Sequence, residues 1–242
     1  MAHVIVTGHS RGLGAALTRL LLAKGHQVLG VSRGRLDATA MISGALEEVQ
    51  LDLGASDAVE RFLNSRHLHR FLQSATDAVL INNAGLLGPV GQTGQLPSLE
   101  IFQAVTANVA SAIALTNAVL AESQHCRDRR VVHISSGAAR SPYSGWTVYC
   151  ATKAGLDHHA RSVATENHTG LRVESLAPGI MDTDMQAQVR STTVDQFPMR
   201  PKFEKLKHEG ALASPISVAE RLTTHLFSDR FGQDCCTDLR QF

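Results

Sequence analysis

The sequence predicts a doubly wound α/β fold, a parallel sheet with helices on both faces, built as one domain over residues 1–242. Three observations predict it. Short β-branched runs alternate with longer segments of helical period, the signature of strands joined by helical crossovers. The first run ends in a glycine-rich turn that opens at once into a helix-spaced segment. Polar or small residues recur at the carboxyl ends of successive runs, where open α/β sheets bind ligands.

In chain order, Val4 to Thr7, Gln27 to Ser32, Val49 to Leu53, Ala78 to Asn82, Arg130 to Ser135 and Arg172 to Ala177 read as buried strands. Their apolar runs are nearly continuous, as expected of strands covered on both faces. Gly14 to Lys24, Asp57 to Leu72, Leu99 to Ser123, Val148 to Asn167 and Ser217 to Phe227 carry helix-spaced apolar residues, and Cys235 to Leu239 fits a last short strand. The connecting segments are long enough for right-handed crossovers between parallel neighbours. Gly34 to Ala45 is short and weakly patterned. The excursion from Asp182 to Ser214 holds Pro198 and Pro201 among scattered charges, so short helices forming a lid over a site are expected there.

Composition narrows the partners. Hydrophobic residues make up 43% and charged residues 19%, which argues against a disordered or fibrous chain. A formal net charge of +1, with no basic run, argues against a nucleic-acid surface and points to a small-molecule partner. Met1-Ala2-His3 leads straight into the first strand, leaving no room for a signal peptide, and no run of about 18 apolar residues is apparent to the eye. No membrane association is expected. Cys126, Cys150, Cys235 and Cys236 lack metal-ligand spacing and read as free thiols of a cytoplasmic protein. The 12 histidines are scattered without a ligand set, so no metal site is expected.

The glycine turn reads Thr7-Gly8-His9-Ser10-Arg11-Gly12-Leu13-Gly14. Gly8 allows a tight turn, Gly12 a close approach to a pyrophosphate, and Gly14 close packing of helix on strand. The helix N-terminus then offers N–H groups and its positive dipole end to the phosphates. The second strand ends in Ser32-Arg33-Gly34-Arg35, with no acid before Asp37. A carboxylate there would accept both ribose hydroxyls of NAD, whereas a guanidinium fork matches the 2′-phosphate of NADP. Arg33, with Ser32 and Arg11, therefore predicts NADP(H). Asp52 and Leu53 close the third strand near the expected adenine, and Asn82-Asn83-Ala84-Gly85 closes the fourth near the ribose.

Tyr149 and Lys153 stand four residues apart, on one face of a helix. An unperturbed phenol titrates at ~10, too high for easy proton exchange, and a neighbouring ammonium together with the positive nicotinamide of an oxidised cofactor is expected to lower it by roughly 2–3 units. Ser136, just past the fifth strand, is placed to meet the phenol, and is preferred to Ser135. Asn108 within the long third helical segment is positioned to bend that helix and hold a water.

The glycine turn, Asn82-Asn83-Ala84-Gly85, Asn108, Ser136, Tyr149, Lys153 and Pro178-Gly179-Ile180-Met181-Asp182-Thr183 resemble, in order and spacing, the short-chain dehydrogenase/reductase family. The resemblance covers almost the whole chain. It implies a Rossmann-type fold and a reductase in which Ser136 orients a carbonyl, Tyr149 protonates its oxygen, Lys153 also binds the nicotinamide ribose and Asn108 maintains a proton-supplying water chain. It further implies that Pro178, Gly179, Ile180 and Thr183 hold the carboxamide end of the cofactor. It also implies that the helices of Leu99 to Ser123 and Val148 to Asn167 pair with those of another subunit in a homodimer or homotetramer. The stretches Gly145 to Ala154 and Ala177 to Gln186 resemble the sepiapterin reductase and benzil reductase branch. That likeness implies a ketone, diketone or pterin side-chain carbonyl as substrate, lined by Trp146 and Met185, with Asp238 where a pterin-anchoring carboxylate would stand. Two alternatives accompany this reading: an NADP-dependent alcohol dehydrogenase working oxidatively, and a catalytically silent NADP-binding sensor or scaffold.

Overall fold

Strands β1 (His3–Thr7), β2 (Gln27–Ser32), β3 (Leu46–Gln50), β4 (Asp77–Asn82), β5 (Asp128–Ile134), β6 (Leu171–Ala177) and β7 (Cys236–Asp238) form one sheet in the order β3-β2-β1-β4-β5-β6-β7. Every pairing is parallel. The structure, a computed structural model, describes residues 1–37 and 46–242, so most of the weakly patterned 34–45 segment lies outside the described residues. The chain starts at the centre, runs to one edge, and returns to cross over to the other side. Strand order therefore reverses between β1 and β4, and a crevice opens there at the carboxyl ends of the strands.

Alternate residues of each strand face opposite layers. Ile5, Leu29, Val31, Leu80, Val131 and Val173 pack under α2 (Ser56–Asn64), α3 (His67–Leu72), α5 (Ser111–Glu122) and α6 (Thr147–Thr165). Val4, Val6, Val28, Ile81, Val132, Ile134 and Leu176 pack on the other side against α1 (Gly12–Ala23) and α9 (Pro215–Leu226). This double cover explains the near-continuous apolar strands.

Four details differ from the sequence expectation. The third strand begins at Leu46 and stops at Gln50, because Asp52 turns the chain by accepting the Gly54 N–H at 2.9 Å. The expected 57–72 helix breaks into α2 and α3 where Arg66 takes a left-handed conformation (φ 61°). The last strand is confined to Cys236–Asp238. Finally, α4 (Ser98–Val105) continues through a π-helical turn, Thr106–Ala110, into α5, and this 25-residue helix is long and apolar enough by length and composition to cross a membrane. In the fold it is a core helix: Ala104, Asn108, Ser111, Leu115 and Val119 are buried, and the Ser111 hydroxyl donates to the Leu53 carbonyl at 2.6 Å. The excursion after β6 forms two short helices, α7 (Asp184–Ser191) and α8 (Arg200–His208).

Candidate active site

Tyr149 and Lys153 occupy the first two turns of α6, and both are buried. Lys153 Nζ donates to the carbonyl of Ile134, the last residue of β5, at 2.7 Å, and lies 5.7 Å from the Tyr149 ring centroid. Asn108 sits inside the π-helical turn, where the widened backbone swings its amide toward the end of β4. Its Oδ1 accepts the Leu86 N–H at 2.7 Å, and its Nδ2 donates to the Leu86 carbonyl at 2.8 Å and to Thr152 Oγ1 at 3.1 Å. A Cβ on Gly85 would lie 3.4 Å from Lys153 Nζ and 3.6 Å from Asn108 Oδ1, so a residue without a side chain lets these groups converge. Ser136 follows β5 in extended conformation; its hydroxyl accepts the Ala138 N–H at 3.1 Å and hydrogen-bonds the Tyr149 phenol. Ser135 points elsewhere, donating to Asp157 Oδ1 at 2.5 Å. Asn108, Ser136, Tyr149 and Lys153 thus meet at the carboxyl edge of the sheet.

The electrostatics differ from the expected acidified phenol. Burial pushes Tyr149 up to about 12, opposed in part by its hydrogen bond to Ser136. Burial also pulls Lys153 down to about 8, against the attraction of Asp157. Desolvation disfavours phenolate and ammonium alike, and it outweighs the attraction expected between them. The phenol is consequently held in its protonated form.

The glycine turn forms the floor of the neighbouring groove. A Cβ on Gly14 would lie 2.0 Å from the Gly8 carbonyl oxygen, which is why α1 can start so close to β1. Gly12 (φ 54°) begins α1, and a Cβ there would meet only Thr183 Cγ2, at 3.7 Å. Thr183 therefore faces the helix N-terminus across Gly12, Arg11 spans to Asp184 beside it, and Leu13 is buried behind the turn. The donor set, a glycine-lined helix N-terminus together with the Lys153 ammonium and the Asn108 amide at Gly85, suits a dinucleotide diphosphate and its ribose.

Several expected cofactor residues have prior commitments. Asn83 Nδ2 donates to the carbonyls of Thr7 (2.9 Å) and Gly8 (3.3 Å), while Thr7 Oγ1 accepts the N–H groups of Asn83 and Ala84 at 3.0 Å. The Asn83 side chain ties β1 to β4, leaving backbone to line the groove. The Ser32 hydroxyl donates to the Gly34 carbonyl at 2.7 Å. Arg33 is exposed at the end of β2, and Ser10 faces Gly34. Arg11 reaches across to Asp184 at the start of α7, at 3.1 Å. Asp52 spends one carboxylate oxygen on its own turn. The sequence reading missed His9: its buried ring meets Glu48 Oε1 at 2.7 Å, and the same oxygen accepts the Leu36 N–H at 2.7 Å. Only the pairing of β2 with β3 reveals this brace, since Gly30 makes room for the ring across the strand.

On the substrate side, Trp146 stacks on Phe197 (4.3 Å between centroids, 8° between planes) and packs beside Tyr143, Tyr149 and Phe203. Leu87 and Val189 complete this cluster, with Ile180 and Met185 against it. Gly145 touches the Gln196 backbone so closely that a Cβ would fall 2.1 Å from its oxygen, so the excursion lies directly on the start of α6. Phe197, Phe203 and Tyr143 carry no pattern in a proline-broken segment and a loop that would single them out. Asp238 does not present the free carboxylate that was expected. Arg240 holds it in a bidentate pair, Nε to Oδ1 at 2.9 Å and Nη2 to Oδ2 at 2.5 Å. Among the described residues, no three His, Cys, Asp or Glu side chains are grouped to hold a metal.

The family model described as short chain dehydrogenase matches residues 2–194. The chain is 32% identical to benzil reductase ((S)-benzoin forming) of Bacillus cereus, over 96% of this chain and 97% of that protein. It is 34% identical to sepiapterin reductase of Mus musculus, over 97% and 95% respectively. A solved short-chain dehydrogenase/reductase from Burkholderia vietnamiensis superposes with a TM-score of 0.70 at 38% identity, covering 99% of both chains. Together with the parallel sheet and the crevice at its reversal point, these matches place the chain in the short-chain dehydrogenase family of oxidoreductases.

Proposed function

We propose that the protein is an NADPH-dependent carbonyl reductase acting on a ketone, a diketone or a pterin side-chain carbonyl. The observation that carries this reading is the convergence of Ser136, Tyr149, Lys153 and Asn108 beside Gly85, with the phenol held protonated. NADPH, when bound, supplies the hydride. Ser136 donates to the carbonyl oxygen and orients it. Tyr149 gives that oxygen its proton, and a phenol raised by burial to about 12 is protonated at neutral pH, as that step requires. Lys153, held on the Ile134 carbonyl, would donate to the nicotinamide ribose hydroxyls, and Asn108 fixes the loop at Leu86 that would support that ribose. A pure sensor or scaffold has no need of all four groups.

Arg33, exposed at the end of β2 with Ser10 facing the adjacent Gly34, selects the 2′-phosphate. The aromatic box of Trp146, Phe197 and Tyr143 suits an apolar or aromatic ketone, and α7 and α8 act as its lid. The free thiols fit a cytoplasmic protein. Leu99 and Phe102 are 69% and 70% exposed on one face of the long helix, with Val105 and Ile113 continuing it, and this apolar stripe supports assembly with further copies of the chain as a dimer or tetramer.

The test is NADPH oxidation with a panel of benzil, isatin, diacetyl and sepiapterin. Turnover of at least one is expected, with Tyr149→Phe retaining NADPH binding and losing about 10²–10⁴-fold in turnover. Absence of turnover across the panel at high enzyme concentration, or an active Phe variant, refutes the assignment.

A further inference from the structure

The C-terminal turn carries a side chain that none of this uses. Asp238 is the last residue of β7, paired in register with Ala177 at the end of β6, and is followed by the turn Leu239–Gln241. Arg240 leaves this turn with its stem lying against Gly179, 3.6 Å from where a Cβ would stand. Gly179 and Ile180 lead from β6 into the crevice, and Ile180 packs on the Trp146 cluster. The Arg240 side chain is 64% exposed, whereas that of Asp238 is 10% exposed. The guanidinium bonds Asp238 through Nε and Nη2, and Nη1 has no hydrogen-bond partner among the described residues. Asp238 thus acts as the brace and Arg240 as the group facing outward.

The tail beneath Arg240 is fastened at every other residue. Leu239 is fully buried, and its carbonyl accepts from Arg221 Nη2 at 2.6 Å. The Thr237 hydroxyl donates to buried Glu174, and the Thr237 carbonyl accepts from Arg140 Nη2 at 2.9 Å. Glu174 is held in turn by the Gly232 N–H and by His225, on whose ring Phe242 stacks at 4.1 Å. A long side chain on a fixed backbone, with a bidentate partner fixing its plane, has little freedom left to lose on binding. The hydrogen bond to Asp238, and more weakly the neighbouring Tyr143, tighten its hold on its proton. Tyr143 is itself part of the aromatic wall, 5.4 Å from Trp146.

We propose that Arg240, braced by Asp238, is a specificity residue that donates to a second acceptor oxygen on the substrate, making the crevice selective for dicarbonyl compounds over matched monoketones. The charge of the guanidinium is compensated by Asp238, so a neutral carbonyl oxygen suits it better than another carboxylate. A donor edge of the pterin kind would have to share the Asp238 carboxylate with Arg240. This inference rests on the carbonyl reductase reading and names its substrate class.

The experiment compares kcat/KM for benzil and for deoxybenzoin, which lacks the second carbonyl oxygen, with NADPH and the full-length protein. Arg240→Met is expected to lower the benzil-to-deoxybenzoin ratio about tenfold or more, chiefly through KM, as the loss of a charge-assisted hydrogen bond requires. Arg240→Lys, which retains a donor, is expected to restore part of the ratio, and thermal melting of each variant reports on the fold. An unchanged ratio in both variants overturns the inference while leaving the reductase reading intact. A loss of sepiapterin turnover in Asp238→Asn without any in Arg240→Met also overturns it, by restoring the carboxylate as the anchor. Wild-type protein that reduces neither ketone fails the reductase reading, and this inference with it.

Discussion

Replacing Lys153 by Met removes a buried ammonium that the protein holds at a disadvantage. Burial moves its pKa from 10.5 to about 8, so at pH 7 the charged form costs about 3 kcal/mol relative to the unfolded chain, at 1.36 kcal/mol per unit. Methionine is flexible and apolar and fills a similar volume. Against this gain, the Ile134 carbonyl loses its 2.7 Å donor, at about 1–3 kcal/mol. The variant is therefore expected to range from equally stable to about 2 kcal/mol more stable at pH 7, while losing its activity. The pH dependence is the sharper signature. Between about 8 and 10.5 the unfolded chain binds the Lys153 proton and the folded chain does not, so wild-type stability rises across that window. The full penalty applies below 8. Urea unfolding of both proteins at pH 7, 8, 9 and 10 should show the wild type gaining on the variant by up to about 3 kcal/mol. A difference that stays constant over that range would mean that Lys153 is not desolvated, and the account of the site would be wrong.

Three further outcomes follow from the same structure. Arg33→Ser should raise KM for NADPH by about tenfold or more while changing KM for NADH little, as expected from losing a guanidinium–phosphate contact; equal effects on both cofactors would remove Arg33 from the 2′-phosphate. Asn108→Ala orphans the Leu86 N–H and carbonyl, and should cost about 2–4 kcal/mol in denaturant unfolding along with most of the turnover; an active variant of unchanged stability would contradict it. Burial holds His133 at about 3, with the neighbouring His159 and Lys153 charges adding to the shift. Stability should therefore fall as pH drops from 6.5 toward 3, because the unfolded chain takes up this proton first. His133→Gln should lose about 3 kcal/mol less than wild type between pH 6.5 and 4; parallel acid profiles would refute the assignment.

The sheet was legible in the sequence because strands covered on both faces write themselves as continuous β-branched runs, and because the Gly8–Gly14 turn marks where the first ends. Element ends were less so. The break at Arg66 needs a left-handed backbone that no local residue announces, and the end of β3 depends on a single Asp52 side-chain bond. The four residues that converge beside Gly85 were readable as a set, since each lies at a strand end or on one helix face. What each is bonded to was not. Asn83 ties down the glycine turn, Ser135 turns to Asp157, and Asp238 is taken by Arg240, all through contacts between segments far apart in the chain. Spacing along a chain shows which side chains share a face, but not which partner claims them.

Without the positive charge of an oxidised nicotinamide the phenol is held protonated, and the reason ties its chemistry to the excursion after β6. Tyr149 and Lys153 are both dry, and Trp146, which packs against Tyr149, is roofed by Phe197 from the excursion over the site. The same exclusion of water raises the phenol and lowers the ammonium, since each charged form loses its hydration. On the carbonyl reductase reading, a ketone seated here would meet a neutral phenol in a setting where its hydrogen bond to the developing alkoxide is strengthened by the low dielectric. The stacked Trp146–Phe197 pair thus helps keep the phenol dry as well as shaping the crevice.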